Sequence, residues 1–329
     1  MRKLSVPFVV LVVACLLVPG STALAKRTPV VGPVETLIQW NPDAGELPEG
    51  IAIDKRGHIY VTMTFIGELR RIDRDGTQTV VAHLPTGGGF GPVGLAVDAL
   101  GNVYAAVVTS DPATQGVYRV TPAGDVTRLP GTEAIPFANG LAFGNGGTLY
   151  VSDTTGAVWR IPKGGGAELW VESPLLEGNG SAGGGFPIGA NGIAFRHGTV
   201  YVTVTEQASV VKIPVRPDGS AGDPGILVQD PALGGADGLT LDAHGNMYVA
   251  VIAQSTIVRM ASDGGDLTVI ADGDDGLDWA SSTAFGTGGH NRTTLYIVNF
   301  SIGPFFGGVR THGPALLAVD VGVPGQPLP

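Results

Sequence analysis

From residue 34 onward the chain is a succession of short runs in which apolar and polar residues alternate, separated by turns centred on glycine or aspartate. A period of two is the pattern of half-buried strands, and Gly-centred turns between such runs join them as antiparallel neighbours. One run returns six times: PEGIAID (48–54), PVGLAVD (92–98), ANGLAF (138–143), ANGIAF (190–195), ADGLTLD (236–242) and ASSTAF (280–285). Successive copies lie 44 to 52 residues apart. A repeat of this length built from short strands predicts a β-propeller with one blade per copy.

The remainder of each repeat reads onto the same blade. The recurring run is its innermost strand. A polar turn leads to a second strand that always starts with tyrosine: YVTMTF (60–65), YAAVVT (104–109), YVSDTT (150–155), YVTVTE (201–206), YVAVIA (248–253) and YIVNFS (296–301). A third strand and another turn, such as Asp75-Gly76 or Asp218-Gly219, lead to a fourth. The last repeat ends near ALLAVDV (315–321) without a fourth strand of its own. VETLIQW (34–40), ahead of the first copy, has the pattern to supply it. The expected fold is therefore all-β: a six-bladed β-propeller with four antiparallel strands per blade. Residues 26–329 form its single domain, and the N-terminal strand closes the last blade so that no sheet edge is left open at the seam.

The N-terminus has a different character. Arg2 and Lys3 precede a mostly apolar stretch from Leu4 to Val18, and Ala23-Leu24-Ala25 fits a small-residue cleavage site. Residues 1–25 are read as a secretory signal peptide, too short and wrongly flanked to be a membrane span, with cleavage after Ala25. The alternative is a lipoprotein modified at Cys15, although Leu16 and Leu17 continue the apolar run past that residue. Cleavage after Ala25 removes the single cysteine and with it disulfides, thiol catalysis and thiolate ligands. The formal charge of −10 becomes still more acidic without Arg2 and Lys3, which disfavours nucleic acid and anionic membranes as partners. The 52 glycines and 24 prolines mark many tight turns, because regular apolar strands lie between them.

Equivalent positions of a propeller repeat face one central channel. The second residue of each copy is Glu49, Val93, Asn139, Asn191, Asp237 and Ser281, so four of the six positions carry oxygen donors where a core would take small apolar side chains. Asn-Gly and Asp-Gly are also ordinary turn dipeptides. Phase separates the two cases. The Asp-Gly pairs at 75–76, 218–219 and 263–264 fall in turns at the opposite end of the blade, whereas the four ring candidates share one repeat position just before an apolar strand.

Six blades, tyrosine-led second strands and this Glu…Asn…Asn…Asp set resemble the senescence-marker-protein/gluconolactonase family, with its luciferin-regenerating-enzyme-like members. The motif Asn-Gly-[Leu/Ile]-Ala-Phe appears twice, at 139–143 and 191–195, and the resemblance covers nearly the whole chain after the leader. It implies one divalent cation in the channel, usually calcium, with Glu49, Asn139, Asn191 and Asp237 as its ligands. It also implies hydrolysis of a lactone, ester or phosphotriester, with Asp237 acting on water or substrate beyond ligation. The donor types agree with a hard cation: two carboxylates and two amide carbonyls, with no His or Cys in phase to favour zinc or copper. Calcium takes six to eight oxygens, so four protein ligands leave room for water and a substrate oxygen; another divalent cation is the alternative.

The channel face on the ring side is built from the loops between second and third strands and between blades. Most aromatics outside strands fall there. The substrate-pocket candidates are Phe65, Phe137, Phe186 and Phe300 with Asp153, Glu206, Ser281 and Ser282. Basic residues are nearly absent from this face, so the pocket is apolar and suits a neutral, fairly hydrophobic lactone or ester better than a sugar-acid lactone. His58, His197 and His244 fall in turns at the far end, which removes a histidine dyad from the reading. The expected activity is that of a secreted calcium-dependent hydrolase acting on a small molecule. The rivals are a non-catalytic extracytoplasmic binding propeller and a non-hydrolytic propeller enzyme, a lyase or a strictosidine-synthase-like catalyst. Oligomeric state is left open by the sequence.

Overall fold

A computed structural model of the protein describes residues 32–88, 90–182 and 186–328. The signal-peptide reading of residues 1–25, with Cys15 and Ala25, lies outside the described residues. The described strands form six four-stranded antiparallel sheets. The inner strands are Pro48–Ile53, Gly91–Val97, Ala138–Phe143, Ala190–Arg196, Ala236–Leu241 and Ala280–Phe285, each at the repeat position expected. Five sheets run outward in sequence order. In the sixth, Glu35–Gln39 pairs antiparallel with Ala315–Asp320, matching Glu35 with Ala318 and Gln39 with Ala315. The ring is therefore closed by the N-terminal strand. Trp40, 4% exposed just beyond it, anchors that end in the core with Ile53 and Val61.

Burial falls from the axis outward, as stacked blades require. All six residues of Pro48–Ile53 are buried, since both faces of an inner strand meet neighbouring blades. The outer strand Gln78–His83 is mostly exposed. The tyrosines that lead the second strands have a structural cause: the hydroxyls of Tyr60, Tyr104 and Tyr248 donate to Asp54, Asp98 and Asp242 at 3.4, 3.2 and 3.4 Å. Those aspartates also accept from the backbone of the tight turn ahead of the second strand, as Asp98 does from Leu100 and Asn102.

The dipeptides at the ring position are not turns. Every inner strand carries a bulge there, one extra residue against its partner, as between Pro48 and Ile51 or between Ala138 and Leu141. A bulge re-aims one side chain without breaking the strand. The glycine that follows permits the blades to touch: a Cβ at Gly50, Gly94 or Gly192 would collide with the carbonyl of Val93, Asn139 or Asp237 on the next blade. Hydroxyls complete this contact. Thr62 donates to the Val93 carbonyl at 3.0 Å, Thr203 to Asp237 at 2.6 Å and Ser281 to Glu49 at 2.8 Å. At the opposite mouth of the channel residues 326–328 lie across the opening, Gln326 donating to the carbonyls of Leu241 and Phe195. Among the described residues no helix is long and apolar enough to cross a membrane.

Candidate metal centre and substrate pocket

Glu49, Asn139, Asn191 and Asp237 line both a cavity of about 400 Å³ on one side and a chamber of about 70 Å³ on the other. Four side chains from four blades thus form the partition between the open pocket and the inner channel. Each is between 6 and 8% exposed. Val93 completes the pocket side of the ring. The sixth position differs. Ser281 is fully buried and its hydroxyl goes to the Glu49 carbonyl, so it joins blades and does not line the cavity. Ser282, which replaces the ring glycine of the other blades, lines the small chamber beneath.

The two amides are fixed in orientation. The Asn139 side-chain nitrogen donates to the Thr154 hydroxyl at 3.1 Å, and that of Asn191 to the Thr205 hydroxyl at 3.1 Å. The two carboxylates are not neutralised. Among the described residues no Lys, Arg or His lines the cavity. Burial pushes Glu49 up to about 8. Asp237 is raised well above the usual carboxylate range, first by burial and then by the charge of Glu49, with the Asn191 amide opposing. One Glu49 oxygen, Oε2, is buried without a hydrogen-bond partner among the described residues. Buried polar atoms are ordinarily paired, and a buried carboxylate pair without a counter-ion costs heavily. A hard divalent cation fits this donor set: it supplies the missing charge and takes the orphaned oxygen. Among the described residues no group of three His, Cys, Asp or Glu side chains is placed to hold a metal ion, so the site has two carboxylates and depends on amide oxygens for the rest.

The pocket above the ring is walled by Phe90, Phe137, Phe186, Trp279, Phe300 and Phe306, with Ile188, Ile252 and Ile302. Phe90 and Phe137 meet at 6.1 Å between ring centres, Phe137 and Phe186 at 5.6 Å, and Trp279 stacks on Phe306 at 5.8 Å. Of the expected pocket residues, Phe137, Phe186, Phe300 and Glu206 line it. Phe65 does not: it backs the wall, packed against Phe90 and Phe300 at 6.0 and 6.1 Å. Asp153 also lies outside the lining. It is 1% exposed and accepts from the Phe137 and Thr155 backbones and the Trp159 indole, closing the turn after its strand. Glu206 meets the pocket as an anchor. Burial opposes its ionisation, yet the backbone N–H groups of Ala182, Gly180 and Asn179 hold it below the usual range and tie down the overhanging loop. Thr154 and Thr205 were missed as site residues. Their signal was a threonine four places after the leading tyrosine, in the two blades whose ring residue is asparagine.

No curated protein matches the chain. Among solved structures, a calcium-binding protein, regucalcin, from Agrobacterium tumefaciens is 18% identical, with 93% of this chain and 99% of that one covered and a TM-score of 0.67. A gluconolactonase from Xanthomonas campestris is 19% identical over 92% and 91%, with a TM-score of 0.64. A catalytically inactive His-to-Ala virginiamycin B lyase from Staphylococcus aureus is 17% identical over 82% and 83%, with a TM-score of 0.56. At these identities the likeness is one of fold. Residues 187–301, which carry Asn191 and Asp237 and half of the ring, match the model of the SMP-30/Gluconolactonase/LRE-like region, and over that stretch the six-bladed propeller is similar to that family.

Proposed function

We propose that the protein is a secreted, calcium-dependent hydrolase of neutral, fairly hydrophobic lactones or esters. The observation that carries this reading is the buried pair Glu49 and Asp237 at the base of an aromatic pocket, with no cationic side chain lining the cavity among the described residues. Glu49 and Asp237 would hold the cation through their charge, and Asn139 and Asn191 through their amide oxygens. When bound, a divalent cation supplies Lewis acidity toward a carbonyl or phosphoryl oxygen. Asp237, steadied by the Asn191 amide, is the carboxylate suited to accept a proton from water or to attack the acyl carbon; both roles need its ionised form. The aromatic wall binds the apolar part of the substrate and keeps water from it. Export is supported by the charged-then-apolar run of residues 1–25.

The lyase neighbour is described as inactivated by loss of a histidine. No histidine lines this cavity among the described residues, which favours hydrolysis over that chemistry here. The test is a screen of lactones, aryl esters and phosphotriesters with calcium and with chelator. Turnover that chelator abolishes and calcium restores is the expected result. Calcium that only raises the melting temperature, with no substrate turned over, supports a non-catalytic binding propeller instead.

A further inference from the structure

The two asparagines of the ring raise a chemical question that the carboxylates do not. A carboxylate presents oxygen whichever way it turns, but an amide presents oxygen one way and N–H groups the other. An N–H facing the channel would repel a cation. Something must therefore hold the amides with their oxygens inward, and the structure contains it.

Resting on the cation-binding reading above, we propose that Thr154 and Thr205 are positioning residues that turn the Asn139 and Asn191 amides so that both oxygens face the channel. Thr154 Oγ1 donates its one proton to the Ala190 carbonyl at 3.1 Å, and Thr205 Oγ1 donates to the Ala236 carbonyl at 2.8 Å. With that proton committed, each hydroxyl oxygen is only an acceptor. Asn139 Nδ2 lies 3.1 Å from Thr154 Oγ1, and Asn191 Nδ2 lies 3.1 Å from Thr205 Oγ1. A reversed amide would set oxygen against oxygen. The hydrogen-bond network, which is what decides amide orientation, admits one answer at both positions. The same bonds satisfy nitrogens that are buried on an inner strand.

The repeat carries the same logic. Thr154 and Thr205 each stand four residues after the leading tyrosine of their second strand. In the other blades that position holds Thr64, Val108, Ile252 and Phe300. Ile252 belongs to the blade of Asp237, whose carboxylate has no N–H to be received. Thr64 belongs to the blade of Glu49. Its hydroxyl donates to the Pro92 carbonyl at 3.0 Å, and Glu49 Oε2 has no hydrogen-bond partner among the described residues. Thr64 thus makes the inter-blade bond without the amide bond, and serves as an internal control for a purely structural role.

The experiment is calorimetric titration of the full chain with calcium chloride, using Thr154→Val, Thr205→Val, the two Thr→Ser variants and Thr64→Val. Groups that orient ligands typically change affinity about 10–100-fold, so each Val variant at 154 or 205 should bind about tenfold more weakly or worse. The Ser variants keep the hydroxyl and should stay within about threefold of wild type, as should Thr64→Val. Wild-type affinity in the Val variants overturns the proposal, as does a Ser variant as weak as its Val counterpart. So does a Thr64→Val loss equal to the other two. A second measurement needs no metal. In chelator, the thermal losses of Asn191→Ala and Thr205→Val should sum to more than the loss of the double variant, because the two remove one shared bond. Additive losses overturn the orientation. Coupling in chelator together with no calcium binding by wild type upholds the orientation and removes the cation reading of the proposed function.

Discussion

Burial raises the Glu49 carboxyl from 4.5 to about 8, and Asp237 beside it rises for the same reason and through the charge of Glu49. Chelated protein therefore folds with protons that the unfolded chain releases near 4.5. The stability that Glu49 contributes is full below that value and is lost as pH rises through about 8. Calcium requires the ionised form, so its stabilisation should grow over the same window. Thermal midpoints in chelator and in calcium, taken from about pH 5 to 9, should diverge up to about pH 8 and then run parallel. A constant gap contradicts the buried carboxylate pair. At Asp237 a substitution separates charge from shape. Asp237→Asn keeps one oxygen for the Asn191 amide but replaces the other with an N–H, and Ile252 offers that N–H no acceptor. Calcium affinity should fall about 10-fold or more, and turnover with calcium restored should fall about 100-fold or more. Wild-type turnover in the refilled variant would reduce Asp237 to a ligand.

Among the elements, the loop after the last second strand shapes the pocket, as expected of a loop between second and third strands, but what orders it was not legible. Asp278 Oδ2 accepts from the Ser301 hydroxyl at 2.6 Å and from the backbone N–H groups of Thr311, His312 and Gly313 at 3.0, 3.1 and 2.7 Å. Around it Trp279 and Ser301 hold positive φ angles of 53° and 56°, which non-glycine residues adopt only under constraint. This latch fixes Trp279, and through it the stacked Phe306, in the pocket wall. Asp278→Ala leaves four donors without their acceptor and should cost about 3 kcal/mol of stability, with faster hydrogen exchange at 311–313 and a raised KM for an apolar substrate. Unchanged exchange at those amides would show that the latch is not what orders the loop. Why this was hidden is physical. Ring residues repeat with the blade, so Glu49, Asn139, Asn191 and Asp237 announce themselves by phase. Asp278 acts once, in an irregular segment, through backbone groups that leave no trace in composition. Strand order and the closing pairing of 34–40 with 315–321 were readable because alternation and turn chemistry repeat six times. The bulges at the ring position were not: the Asn-Gly pairs look like turns, and only the contact of Gly94 or Gly192 with the next blade shows why glycine is required.

For the whole molecule, closure is what makes the site. Glu49 and Asp237 stand on blades one and five with blade six between them, and blade six is completed only by Glu35–Gln39. A chain beginning at residue 41 leaves Ala315–Asp320 as an open edge and removes Trp40 from the core. It should melt on the order of 10 °C lower or lose cooperative unfolding, and bind calcium weakly if at all. A truncated chain that melts and binds like the full one would show that the seam is dispensable. The central claim is that four blades jointly seat one cation, and crystals grown with calcium test it most directly. The account expects a single ion bounded by side-chain oxygens of Glu49, Asn139, Asn191 and Asp237 at about 2.3–2.6 Å, with the pocket side of the ion open to water or ligand. A ring that stays free of the ion at saturating calcium, or an ion bound elsewhere, would contradict it.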